Sequence, residues 1–186
     1  MNAATATAKP GQVLLFWFET LRPEDWYRSD QDVDDLVRDK LGDLHEQAAL
    51  GTLDHWQETP AGALALIILF DQVPRNIHRG TALAFATDEK ALAVLENALA
   101  NRLDGELTPE KRVFFYLPFM HSEDKSNQER SVALFRELGK ESNLDYAVRH
   151  WEIILRFGRF PHRNAILGRK STPKEEEYLS QSGAGF

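Results

Sequence analysis

The stretch TPAGALALIILFDQVPRNIHR, from Thr59 to Arg79, decides how the rest of the chain is read. Thr59 followed by Pro60 has the form of an N-cap with proline at the first helical position, where its missing N–H costs nothing. Ala63 to Phe70 then places apolar residues in succession, and a helix apolar on every face belongs at the centre of a core. The polar residues arrive together at its end: Asp71, Gln72, Arg75, Asn76, His78 and Arg79. A carboxylate in the last turn of a helix faces the negative end of the macrodipole, so Asp71 is expected to pair with Arg75 or Arg79.

Outward from this stretch the chain reads as all-α. Val13, Leu14, Phe16 and Trp17 put an apolar face on a short first helix, and Asp30 caps a second helix with an apolar stripe at Val37, Leu41, Leu44 and Ala48. One further turn is expected over residues 81–86, and Thr87 or Asp88 is expected to cap a helix whose Leu92, Leu95 and Leu99 share a face. Thr108–Pro109 opens another helix through Val113, Phe114, Phe115 and Tyr116, which Pro118 is expected to end, leaving His121, Ser122, Glu123 and Asp124 as a polar loop. Ser126 and Glu129 have capping-box spacing, Asp145 is the expected cap of the last long helix, and Thr172–Pro173 with Glu175 opens a final one. No stretch alternates cleanly enough for a strand. The expected organisation is a disordered segment 1–11, one domain over 12–180 and a flexible tail 181–186.

Composition narrows the function. With 186 residues and a net charge of −7, the chain has a sizeable core but no basic balance to displace counterions from nucleic acid or to meet an anionic membrane. It contains no cysteine, which excludes disulfides, thiolate metal sites and a cysteine nucleophile. The N-terminal residues lack the apolar run of a signal peptide and no stretch approaches the length of a membrane span, so a cytoplasmic protein is expected.

The end of the central helix is echoed once. Phe70-Asp-Gln-Val-Pro-Arg75-Asn76 and Phe157-Gly-Arg-Phe-Pro-His-Arg163-Asn164 share the order Phe, apolar, Pro, Arg-Asn, with one residue inserted in the second copy. Three strings, LIILFDQVPRNIHRGTALAFATD, FYLPFMHSEDKSNQERSVALF and HWEIILRFGRFPHRNAILGRKST, resemble the uncharacterised bacterial domain-of-unknown-function 924 family, over nearly the whole chain. That resemblance implies a compact stack of antiparallel helix pairs like tetratricopeptide-repeat arrays. It supplies no activity and no catalytic residues, and the 34-residue tetratricopeptide signature is not legible here.

The candidate site gathers Asp71, Gln72, Arg75, Asn76, His78 and Arg79 from the first helix end with Arg159, His162, Arg163 and Asn164 from the second, joined by His121, His150 and Glu152. Guanidiniums grip carboxylate or phosphate bidentately, and a histidine among them changes charge near neutral pH. Two readings stand side by side: a pocket that binds, and possibly turns over, a small carboxylate- or phosphate-bearing ligand, or a set of internal ion pairs that fixes helix ends. A helical-repeat module that takes a peptide or protein partner without chemistry is the alternative of a different class. A metal-dependent hydrolase is weaker still, because the spacing of His121, Glu123, Asp124, Asp71, His78, His150, Glu152 and His162 matches no recognised ligand set. No metal or cofactor is therefore expected. Ser122 beside His121 has no nucleophile elbow around it.

Overall fold

The computed structural model describes residues 8–181. Helix α1, Pro10–Leu15, runs on through a π-helical turn, Phe16–Thr20, and α2 spans Gln31–Ala49. A 3-10 turn, Asp54–Glu58, precedes α3, Pro60–Ile67, which continues through a second π-helical turn, Ile68–Gln72, into α4, Val73–Ile77. Then follow α5 (Asp88–Ala100), α6 (Pro109–His121), α7 (Lys125–Leu138), α8 (Glu141–Phe157) and α9 (Pro173–Leu179). Shorter 3-10 turns occupy Ala82–Phe85, Leu103–Glu106 and Pro161–Arg163. Among the described residues there is no strand, so the chain is all-α. Among the described residues no helix is long and apolar enough to cross a membrane. The first helix starts at Pro10, inside the segment expected to be disordered; the remaining expectations for residues 1–7 and 182–186 lie outside the described residues.

The central helix is where the sequence places it. Residues 62–74 are all buried, and α3 packs against α1, α5 and α6 while α4 lies on α2. The Thr59 hydroxyl accepts from the Gly62 N–H at 3.1 Å, the cap read from the Thr-Pro pair. Gly62 is required there, since a Cβ would meet the Trp56 carbonyl oxygen at 1.9 Å. α7 packs between α6 and α8, and Trp17, Phe114, Phe115, Phe119 and Phe135 fill the core among them.

Two prolines expected to end helices do not. Pro74 sits inside the continuous run from α3 to α4, and Pro118 sits inside α6. At Pro74 the π-helical turn is the physical reason. The Val73 N–H bonds to the Ile68 carbonyl, and Pro74 has no N–H to offer, so the carbonyls of Leu69 and Phe70 lose their helical donors. Side chains replace them: His45 Nδ1 on α2 lies 2.8 Å from the Leu69 oxygen, and the Thr87 hydroxyl donates to the Phe70 oxygen at 2.6 Å. The Asn76 amide donates to the Gln72 oxygen at 3.1 Å in the same way. The helix therefore continues, and Asp71 and Arg75 lie within it rather than beyond its end.

At Pro118 the surrounding residues from Val113 to Met120 are all buried, and packing holds the helix for a further turn. Its last carbonyls are collected by the buried Gln128 amide of α7, which donates to Met120 O at 2.6 Å and Ser122 O at 2.7 Å. His121 is thus the final residue of a helix and not part of a loop. Two caps also differ from expectation. Asp124, not Ser126, caps α7 by accepting from Asn127 N at 3.0 Å, and α8 begins at Glu141, a turn before Asp145.

Candidate functional site

The centre of the site is Asp71, fully buried by the π-helical turn that carries it. His121 donates from Nδ1 to both carboxylate oxygens, at 2.7 and 3.0 Å. Gln72 donates to Oδ2 at 2.5 Å, and the Arg75 guanidinium lies 3.2 Å from Oδ1. Burial alone would raise the Asp71 pKa, but Arg75, His121 and Gln72 outweigh it and hold the carboxyl well below the usual range. His121 itself is shifted down, because burial and the cations Arg75 and Arg163 outweigh the pull of Asp71. At neutral pH the pair is therefore carboxylate and neutral imidazole, with the proton on Nδ1 because an ionised carboxylate can only accept.

Arg75 turns its other face to Asp88, the first residue of α5, in a bidentate pair at 2.8 and 3.1 Å. A carboxylate at a helix N-terminus is itself favoured by the macrodipole, so Asp88 is held from two directions. Arg163, on the 3-10 turn after α8, approaches the same carboxylate only to 3.7 Å. Its guanidinium is packed instead against two rings, 4.5 Å from the Phe160 centroid and 4.7 Å from that of Phe85. The Arg163 side chain is only 8% exposed, and its Nε is buried with no hydrogen-bond partner. Burial and the neighbouring Arg75 charge lower its pKa to about 10.

Two more histidines adjoin. The His150 ring on α8 lies 6.1 Å from that of His121 and 5.5 Å from that of Phe160, and its Nδ1 is 2.8 Å from the Tyr146 carbonyl oxygen. The His162 ring is 5.6 Å from Phe160. Burial is the first cause of both shifts, joined by the His121 and Arg163 neighbours, and it drops His150 to about 3 and His162 to about 4.

Of the residues read from the sequence, Asp71, Gln72, Arg75, His121, His150 and Arg163 come together, with His162 at the edge. The others are used elsewhere. Arg79 makes a bidentate pair with Asp34 of α2 at 2.6 and 2.7 Å, and the His78 ring faces that of His45, also on α2, at 6.1 Å. Asn76 is spent on the Gln72 carbonyl. Arg159 pairs bidentately with Glu175 of α9 at 2.7 and 2.8 Å. The Asn164 amide joins Ser171 and Arg169. Glu152 stands on the exposed face of α8 and joins none of these groups. Asp88, Phe85 and Phe160 complete the site, and the sequence marks Asp88 only as a helix start.

Glu123 closes the far side. It accepts from the Phe160 N–H at 2.7 Å and from Arg169 at 2.6 and 3.0 Å, which pins the Phe160-to-Arg163 turn to the chain after α6. Among the described residues no group of three or more His, Asp or Glu side chains has the geometry to hold a metal ion.

Residues 13–183 match the family model described as a bacterial protein of unknown function, DUF924. The chain belongs to the DUF924 family. A solved structure from Agrobacterium tumefaciens, the protein of unknown function ATU0120, is similar at 42% identity with a TM-score of 0.88, covering 92% of this chain and 96% of that one. No curated protein matches. The likeness to that solved structure agrees with the architecture described above, and neither comparison assigns a role to the site.

Proposed function

We propose that this DUF924 protein binds a small carboxylate- or phosphate-bearing molecule at the cluster of Arg163, Arg75, His121 and His150. The observation that carries this reading is Arg163. A guanidinium with pKa near 10 is charged at neutral pH, yet this one is buried between two aromatic rings with Nε unpartnered and its carboxylate at 3.7 Å. A buried charge without close compensation is strongly destabilising, so an anion that reaches it relieves a cost already present in the fold. A planar carboxylate or a phosphate offers the paired oxygens that a guanidinium fork accepts. Helix pairs stacked as in tetratricopeptide arrays would frame such a site, and the packing of α7 between α6 and α8 is compatible with that arrangement.

Thermal unfolding in increasing sulfate, phosphate and acetate tests the proposal. Anions that bind the folded protein should raise Tm by mass action, less so at high chloride, and the rise should vanish in Arg163→Met. Equal shifts in wild type and variant would place binding elsewhere. No shift with any of the three anions would remove the basis for the reading.

A further inference from the structure

The anion reading explains Arg163 but leaves the Asp71–His121 pair without a task. That pair is a costly arrangement: a fully buried carboxylate held by Gln72, Arg75 and His121, with no exposure to solvent. Its geometric effect is on the imidazole. Because Asp71 accepts a hydrogen bond from Nδ1–H, the tautomer of His121 is fixed and Nε2 carries the lone pair. The side chain is 17% exposed, so this nitrogen belongs to a ring at the margin of the site and not to a sealed core.

We propose that His121 is the proton acceptor of the anion site, that Asp71 is its positioning residue, and that the ligands served are carboxylates or phosphates with a transferable proton beside the anionic group. The proposal rests on the anion reading above and adds the step that accompanies binding. For dihydrogen phosphate, the O–H bond breaks, the proton passes to Nε2, and hydrogen phosphate remains against the guanidinium of Arg163 and an imidazolium. No other bond changes and no co-reactant is needed. An anion with no proton to give, such as sulfate, leaves His121 to draw one from the solvent.

The electrostatic setting supports the transfer. The groups that face His121 are Asp71 and Arg75 from the central helix, His150 from α8, and His162 and Arg163 from the 3-10 turn, with Asp88 of α5 beyond the two arginines. In the free protein burial first, and then the two cations Arg75 and Arg163, keep the imidazole neutral despite Asp71. An incoming negative charge against Arg163 cancels one of the two cations and adds its own attraction, which moves the balance toward the imidazolium beside Asp71.

Calorimetric titration in buffers of different ionisation enthalpy measures the proton directly. With sulfate near pH 7, wild type should take up about one proton per ion bound. Phosphate should draw fewer from the buffer, because its dihydrogen form brings its own. His121→Gln should still bind sulfate, more weakly, with the uptake abolished. Nitrogen chemical shifts of His121 in the wild-type protein give a second reading that needs no variant: Nδ1 protonated alone in the free state, both nitrogens protonated with sulfate. Sulfate binding without uptake, or uptake that survives His121→Gln, overturns the assignment while leaving the anion site standing. Absence of any sulfate or phosphate binding fells the anion reading and this one together.

Discussion

The two Arg-Asn helix ends are near copies in sequence and opposites in structure. After Phe70 the helix keeps going, because a π-helical turn accommodates Pro74 and side chains from α2 and the start of α5 take the stranded carbonyls. After Phe157 it stops, because Gly158 enters the left-handed region at φ 72° and turns the chain into Arg159 and Phe160. Arg75 consequently stands in a helix with two carboxylates against it, whereas Arg163 stands in a 3-10 turn with two aromatic faces. One aspartate, Asp88, lies between them and gives its bidentate grip to Arg75. The same dipeptide thus carries a tightly paired arginine at one end and, at the other, an arginine with a long contact to Asp88 and an unpartnered Nε.

That contrast gives the largest expected effect. Arg75→Met leaves Asp71 and Asp88 without their shared cation and should cost roughly 3–5 kcal/mol, the usual penalty for breaking a buried pair from one side. Arg163→Met replaces a poorly compensated charge by an apolar side chain between Phe85 and Phe160, and should be neutral or stabilising by up to about 1–4 kcal/mol. Urea denaturation of both variants beside wild type decides the matter. Equal losses at the two positions would erase the distinction between a structural and a functional arginine, and with it the main support for an anion site.

The sequence reading reached much of this and missed particular parts for physical reasons. The buried helix over residues 60–70 and its Thr59 cap were legible because apolar saturation and a Thr-Pro pair each have one simple explanation. That Asp71 needs an arginine was legible from its place after an apolar run, with Arg75 and Arg79 both open; the partner is Arg75, while Arg79 goes to Asp34. The helix ends were not, since whether a proline stops a helix depends on distant donors: His45 and Thr87 for Pro74, and the buried surroundings for Pro118. The place of His121 depended on that answer. Arg79, Arg159 and Asn164 were grouped with the site because they are near it in sequence, and their partners Asp34, Glu175, Ser171 and Arg169 lie on segments whose approach no local pattern announces.

Acid sharpens the comparison, with a smaller effect. His150 and His162 have pKa values lowered to about 3 and about 4 from an ordinary 6.5. Between those values and 6.5 the unfolded chain binds protons that the folded one refuses, so stability is complete above about pH 6.5 and falls as the pH drops. His150 alone contributes a slope of about 1.4 kcal/mol per pH unit in that window. Asp71 is held below its ordinary 3.8, so its contribution is lost only at still lower pH. Urea midpoints measured from pH 7 to about 4.5 should decline, and His150→Phe should flatten part of the decline; a flat wild-type profile would mean these histidines titrate normally.

The smallest effect concerns Glu152, the one carboxylate on α8 that the sequence grouped with the arginines. Its stripe, with Arg149 and Arg156, faces outward, and both arginines lie over rings on the same stretch of chain, Arg149 over Tyr146 at 5.7 Å and Arg156 over Phe157 at 4.7 Å. An exposed carboxylate on such a face changes stability by no more than about 0.5 kcal/mol when removed. It also adds little to the field at Arg163, because solvent screens it. Glu152→Ala should therefore leave the urea midpoint and the sulfate-induced rise in Tm where they are in wild type, while Arg163→Met abolishes the second. Loss of the sulfate response in Glu152→Ala would show that the outward face of α8 takes part in binding, and would move the site from the buried cluster to the surface.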